Sequence, residues 1–356
     1  MDASVMRRPA AVAVLLGLAG AVVATVLGLL TFGAQATVAP DHLPLAVAAP
    51  TTGSAAGQLR TAADQIAGHG GDAVEWRVTD PARARDLLAD KEVYGVLELG
   101  ATQTGPTMKI VVSGAVNPQG TQVAQQVLTG AAQGLAAALA QQQPNLRIAP
   151  TQVETVHPAS IAGRTAPLAA SALLWVGGLV AAIAFGMLVV RKGMRPGAGS
   201  RLVLVASVSV FATGVIVGFM KLWDSSLVVG VDVIGFVFLT AVAFAAVQGA
   251  LLRLVRLRAV AILSPMYLLA PAVAGTVPEM LNPAYRTLLW SWTPFRFSTE
   301  GLRSLLQGVP DAPDVRTAVI VLGSMAVVGL VVMLWPGRSR TDEVAPVADR
   351  ELAISR

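Results

Sequence analysis

The 356-residue chain has no cysteine. That absence excludes disulfides, thiolate zinc sites and a thiol nucleophile, and any part outside the cell must hold together without covalent staples. Histidine is nearly missing as well: His42, His69 and His157 lie far apart, which offers no spacing for a metal site. The nucleotide signatures are also missing. No Gly-x-x-x-x-Gly-Lys-Ser/Thr loop occurs and no Gly-x-Gly-x-x-Gly follows a strand-like run, so neither usual phosphate cradle is present. No serine or threonine sits in a nucleophile elbow beside a base, and the acidic residues of 80–92 read as a solvated helix face. The chain is therefore expected not to be an enzyme and to carry no cofactor. Charge is scarce too, at 13% of residues.

What is abundant is apolar side chain. Hydrophobic residues make up 54% of the chain and the mean hydropathy is +0.64, a composition of membrane proteins. Six stretches are long enough to cross roughly 30 Å of hydrocarbon at about 1.5 Å per residue. They run Ala10 to Phe32, Leu168 to Val190, Leu202 to Met220, Leu227 to Leu252, Ala259 to Val277 and Ala318 to Trp335; only the fourth carries a charge, Asp232. The expected fold is an all-α polytopic membrane protein with six transmembrane helices, plus a small α/β extracytoplasmic domain between the first two.

Orientation follows from the basic residues, because Lys and Arg near span ends resist translocation. One alternate set of loops holds eleven of them: Arg7, Arg8, Arg191, Lys192, Arg195, Arg201, Arg253, Arg256, Arg258, Arg338 and Arg340. These are expected to face the cytoplasm, with both termini there. The opposite loop 278–317 balances Arg286, Arg296, Arg303 and Arg316 against Glu279, Glu300, Asp311 and Asp314. The formal charge of +5 is thus a topology signal with some attraction to anionic lipid, and no nucleic acid is needed to explain it. The first span resembles a secretory signal in its flanks, Arg7-Arg8 before it and Ala34-Gln35-Ala36 after it. Its apolar run exceeds the usual length of about 7–15 residues, so it reads as an uncleaved anchor.

Roughly 130 residues separate the first two spans, enough for a domain. Strand-like runs at 43–49, 73–78, 93–99 and 107–114 alternate with helical segments. Asp80-Pro81 and Asn117-Pro118 supply an N-cap followed by proline in the first turn. After the second cap Val123, Val127, Ala131, Leu135 and Leu139 repeat every four residues, which predicts one buried face. A last strand is expected within "LRIAPTQVETV". The expected domains are an anchor at 1–33, the α/β domain at 34–165, a five-helix domain at 166–337 with an outer re-entrant hairpin at 278–306, and a cytoplasmic tail at 338–356.

Two features inside the spans bear on function. Asp232 is an intramembrane acid, by default a proton-relay or substrate candidate, but it lies only about 7 Å inside its span, within reach of interfacial water or of Lys221. Gly214 and Gly218 have the small-xxx-small spacing of close helix packing.

The stretch "LLWSWTPFRFSTEGLRSLL" (288–306) interrupts the apolar pattern with Trp290, Trp292, Phe295, Phe297, Arg296 and Arg303. An aromatic belt at headgroup depth, with the arginines facing water or phosphate, explains the composition. The order carries more. Gly275 and Pro278 lead in, and then come Pro294-Phe295 and Gly301-Leu302-Arg303. This resembles the outer hairpin before the last span in permeases of type 2 ABC exporters, above all the phage infection protein (YhgE/Pip) branch. "DLLADKEVYGVLELG" resembles that branch's outer-domain segment, and "LLWVGGL" (173–179) the start of its second span. The resemblance implies a half-transporter of the bacterial plasma membrane. It would pair as a homodimer or with a similar permease, contact membrane lipid, and be driven by a separate cytoplasmic ATPase while it exports an amphipathic or lipid-like substrate. The short cytoplasmic segments, 191–201 among them, depart from the family pattern and keep open a second reading, a non-transporting envelope scaffold or docking protein. The candidate functional residues are Asp232, Trp290, Trp292, Pro294, Phe295, Arg296, Gly301 and Arg303. A Ser54→Cys variant is expected to react from outside intact cells with an impermeant maleimide and Ser200→Cys is not; the reverse labelling would overturn the orientation.

Overall fold

A computed structural model describes residues 9–103, 105–143, 148–194, 196–269 and 273–335. Arg7, Arg8, Arg195, Arg338 and Arg340, which carry part of the orientation argument, and the tail 338–356 lie outside the described residues.

The first span is one continuous rod: helix α1 (Pro9–Gly28), a π-helical turn at Leu29–Gly33 and the single turn α2 (Ala34–Ala36). Val14, Leu18 and Val22 are exposed, so little of this apolar rod is covered by its own chain.

The chain then builds a five-stranded sheet. Its elements are β1 (Leu43–Ala48), α3 (Ala56–Ala67), β2 (Val74–Thr79), α4 (Pro81–Ala89), β3 (Val96–Thr102), β4 (Gly105–Ser113), α5 (Pro118–Gln142) and β5 (Gln152–Val156). The strand order is β2-β1-β3-β4-β5, with all neighbours parallel except the β3–β4 hairpin. Strand β1 lies inside the sheet and is buried on both faces, which is why it reads as an unbroken apolar run. Both expected caps form: Asp80 Oδ1 accepts from Arg83 N at 3.0 Å and Asn117 Oδ1 from Gln119 N at 3.0 Å. The buried line of α5 differs by one residue from the expected stripe. Gly120, Ala124, Leu128 and Ala132 are fully covered, while Val123, Val127, Ala131 and Leu135 sit half-buried beside them. Small residues let the helix close on Tyr94 and Gly95, so the larger valines are pushed to the shoulders. Arg85 on α4 pins the sheet by ion pairs to Glu98 at 2.7 Å and Glu154 at 2.9 Å.

The rest is helical: α6 (Ile161–Lys192), α7 (Ala198–Trp223), α8 (Val231–Val255), a 3-10 turn at Arg256–Ala259, α9 (Val260–Leu269), α10 (Pro283–Tyr285) running into a π-helical turn at Arg286–Trp290, α11 (Pro294–Leu306) and α12 (Pro313–Leu334). With the first rod, five helical stretches are long and apolar enough to cross a membrane, which makes this a multi-pass membrane protein with a small α/β unit. Where two spans were expected, at Leu227–Leu252 and Ala259–Val277, one 38-residue stretch runs from Val231 to Leu268. A straight helix of that length would reach about 57 Å, nearly twice the hydrocarbon thickness. The stretch is bent: Arg256 adopts φ 56° and ψ −145°. On either side of the bend, Gln248 and Leu263 both hydrogen-bond Trp175.

Helix α8 packs against α6, α7, α11 and α12. At its centre the rings of Trp175, Phe244 and Phe295 meet with centroids 5.1, 5.2 and 5.7 Å apart, each such pair contributing about 0.5–1.5 kcal/mol beyond its buried area. At the far end from the sheet, Arg201 donates to Met333 O at 2.9 Å, and Arg253 donates to Val332 O, Met333 O and Trp335 O. These basic residues satisfy the last carbonyls of α12, where the helix dipole also favours positive charge. Gly301 marks the closest crossing of α11: a Cβ there would meet Phe236 Cζ at 2.6 Å and Ala318 Cβ at 2.9 Å. Gly214 and Gly218 have open space around them. Gly301→Leu is therefore expected to lower stability by about 1–3 kcal/mol, through forced separation of helices, and Gly214→Leu to leave it unchanged. Thermal unfolding of both variants in detergent checks this.

Candidate functional site

The segment 288–306 does not lie along the surface as a belt. Proline at 294 breaks the chain after Trp292 and takes the first turn of α11, where its missing N–H is tolerated. Helix α11 then inserts between α6 and α12 and also packs on α8. Phe295 is fully buried in the aromatic core, so the surface-belt explanation of the composition does not extend to it. Ser298 Oγ donates to Ser171 Oγ at 2.8 Å, so even the polar side of the helix is matched to α6.

Arg303 is corrected in part. It was expected to face water or phosphate, and only 4% of it is exposed, which excludes the water-facing half of that expectation. Helix α11 is sandwiched, so the face that a surface helix would turn to solvent here meets α12 and the α/β domain. Arg296 behaves differently: its guanidinium lies 3.8 Å from the Trp290 ring centroid and 4.2 Å from that of Phe297, a half-buried cation–π stack. Trp292 remains exposed at 54%. The structure thus gathers Pro294, Phe295, Gly301 and Arg303 inside the bundle, and Trp290 with Arg296 beside them. Asp232 stands apart, exposed in the first turn of α8, where a carboxylate is favoured by the helix dipole. Lys221 does not pair with it; the ammonium donates to Leu227 O at 2.5 Å.

Around Arg303 lies a polar seam between the α/β domain and the bundle. Lys91 donates to Asp314 Oδ2 at 2.6 Å and to Ser304 Oγ, and Ser304 Oγ donates to Asp314 at 2.8 Å. Tyr94 OH donates to Glu279 Oε2 at 2.7 Å, and Asn117 Nδ2 to Gly275 O at 3.3 Å. Val277 and Met280 join the core of the α/β domain itself. Burial is the main influence on the charges here. It pulls the Lys91 ammonium down, with Asp314 opposing, and pushes the Glu300 carboxyl up, with Arg303 and Arg296 opposing. Burial likewise raises the Tyr94 phenol, reinforced by the Glu279 carboxylate.

The backbone shows that Lys91 was placed at some expense. Helix α4 ends in a Schellman arrangement: Lys91 N donates to Leu88 O and Glu92 N to Leu87 O, with Lys91 itself at φ 61°. Glycine is the usual residue there, because a side chain in the left-handed region costs about 1–2 kcal/mol. A lysine at that position is understandable once its ammonium is seen to reach Asp314. The arrangement can lock one unit onto the other and hold charge in a water-poor seam. Among the described residues no three His, Asp or Glu side chains converge as metal ligands.

Lys91, Tyr94, Glu279, Glu300, Ser304 and Asp314 were not singled out by the sequence. Two signals were present: the near-neutral charge of 278–317, and a lysine where the end of α4 calls for glycine. Breaking a buried pair leaves the other charge stranded, so Asp314→Leu and Lys91→Met are each expected to cost about 3–5 kcal/mol, and the double variant to recover most of it. A double-mutant cycle of detergent unfolding measures this; additive losses would show that the two side chains are not coupled.

Compared with known proteins, the chain matches no family model, no curated protein and no solved structure.

Proposed function

We propose that the chain is the permease subunit of an ABC-type exporter, related to the phage infection protein branch, that moves an amphipathic or lipid-like substrate outward across a bacterial plasma membrane. In this reading the membrane part crosses six times, because the stretch Val231–Leu268 reverses at Arg256 and is two crossings. The α/β domain stands outside, with both termini in the cytoplasm and Arg201, Arg253 and Arg256 at the cytoplasmic end. Two permease chains pair, and a separate ATPase supplies the energy.

The observation that carries the reading is the position of α11. It is buried among the bundle helices and bonded through Ser304 to Lys91 of the α/β domain, so a movement of the spans would be passed directly to the outer unit. An ordinary outer loop would have no reason to sit there. The largely uncovered faces of α1 and α7 leave apolar surface for a second permease chain or for lipid.

One observation favours the second reading, a non-transporting scaffold that presents the α/β domain. Helix α6 ends at Lys192 and α7 begins at Ala198, and only Arg256–Ala259 joins α8 to α9. Links this short offer an ATPase little to hold. Purification of the tagged full chain from its own membranes under mild detergent separates the two. A cytoplasmic ATPase retained in stoichiometric amount is expected for the exporter, and its absence in favour of other envelope proteins would leave the scaffold.

A further inference from the structure

A cleft of about 500 Å³ opens beside the seam, between the start of α5, the first turns of α6 and the end of α9. Its volume is in the range of ligand sites. Its walls divide into two kinds. Leu168, Ala169 and Ala172 on α6 and Leu268 on α9 form an apolar side that belongs to the membrane-spanning stretches. Arg164, Arg303 and the Asn117 end of α5 form a positive side at the level of the α/β domain.

Arg303 is the unusual member. Only 4% of it is exposed, its Nε has no hydrogen-bond partner, and it makes no ion pair among the described residues. A buried guanidinium without a partner is costly, and native structures rarely leave one so. No described carboxylate lies within ion-pair distance of it: Asp314 is bonded to Lys91 at 2.6 Å and Glu279 to Tyr94 at 2.7 Å, while Glu300 and Asp314 act on the guanidinium only from farther off. Arg164, exposed on the first turn of α6, donates Nε to Ala159 O at 3.2 Å and likewise makes no ion pair among the described residues. The α5 helix is 25 residues long and adds the positive end of its dipole.

We propose that this cleft binds a phosphate-headed anionic lipid, its phosphate held between Arg303 and Arg164 and one acyl chain lying along Leu168, Ala172 and Leu268. Guanidinium forks match phosphate oxygens, and a phosphate there would supply the missing partner of Arg303. The apolar side is continuous with the bilayer, so a lipid reaches it by lateral diffusion, with its chain never leaving hydrocarbon. A free anion would leave that wall uncovered. The proposal deepens the exporter reading, since the lipid held here would be its cargo or a cargo's stand-in, and rests on it for that assignment alone; binding is measured without ATP or a partner.

The test uses the purified full chain in a neutral detergent, with bound lipid counted by native mass spectrometry during titration with phosphatidylglycerol, phosphatidylcholine or inorganic phosphate. Phosphatidylglycerol is expected to bind at least about tenfold more tightly than phosphatidylcholine. Arg303→Gln and Arg164→Gln are each expected to weaken it by about tenfold, the scale of one charge-assisted contact. Because Arg303→Gln can fail to fold, Ala169→Trp serves as well: it starts from an exposed position, fills the cleft, and is expected to abolish the adduct without lowering the unfolding temperature. Equal binding of the two lipids, or full binding in Arg164→Gln and Ala169→Trp, would overturn the site. Displacement of phosphatidylglycerol by millimolar phosphate would overturn the lipid as its occupant in favour of a free anion. Loss of binding with an ATPase still attached would sink this inference and leave the exporter standing; retained binding with no ATPase would do the opposite.

Discussion

In hydrocarbon, apolar side chains gain little by meeting one another in place of lipid, so helices there are held by shape and by polar groups with nowhere else to bond. Trp175 supplies both. Its indole N–H donates to Leu263 O at 3.0 Å, its carbonyl accepts from Gln248 at 2.8 Å, and its ring packs on Phe244 and Phe295. Four helices, α6, α8, α9 and α11, are tied by one residue. Without it, the bend at Arg256 would have no fixed partner on either arm, and α11 would lose the aromatic pocket that receives Phe295.

That pocket sets the position of everything above it. Once Phe295 is seated, Gly301 brings α11 within contact of Phe236 and Ala318, and Ser304 comes to lie beside Asp314 at the start of α12. The α/β domain then docks by inserting Lys91 between them. The seam is polar and buried, which makes it demanding: each of its charges is tolerable only while its partner is in place. Such a seam resists partial opening and favours movement of the two units together. Arg303 is the exception, because it makes no ion pair among the described residues.

The strands, the helices and the two proline caps of the α/β domain were legible because they depend on local patterns: alternation in strands, Asp80-Pro81 and Asn117-Pro118 at helix starts, glycine and proline between β3 and β4. The long apolar helices were legible for the same reason. The candidate site was legible only in part. The order of prolines and aromatics in 278–306 drew attention to a segment in which Pro294, Phe295, Gly301 and Arg303 all prove to be packed. How tightly α11 is packed was not legible, since arginines and tryptophans near a membrane usually sit at the interface. Lys91 and Tyr94, about 200 residues away in sequence, carried no sign that they would meet Asp314 and Glu279.

The amino-acid sequence by itself determined that this is a helical membrane protein with an α/β unit inserted after its first apolar rod, because length, hydropathy and capping act over a few residues and need no partner. It also determined where the basic residues stand along the chain. Only the tertiary structure decided that both arms of Val231–Leu268 bond to Trp175 across the break at Arg256, that α11 is a core element, and that Arg303 is buried without an ion pair among the described residues. These depend on which surfaces meet across the molecule, and a buried arginine and an interfacial one are written with the same letter.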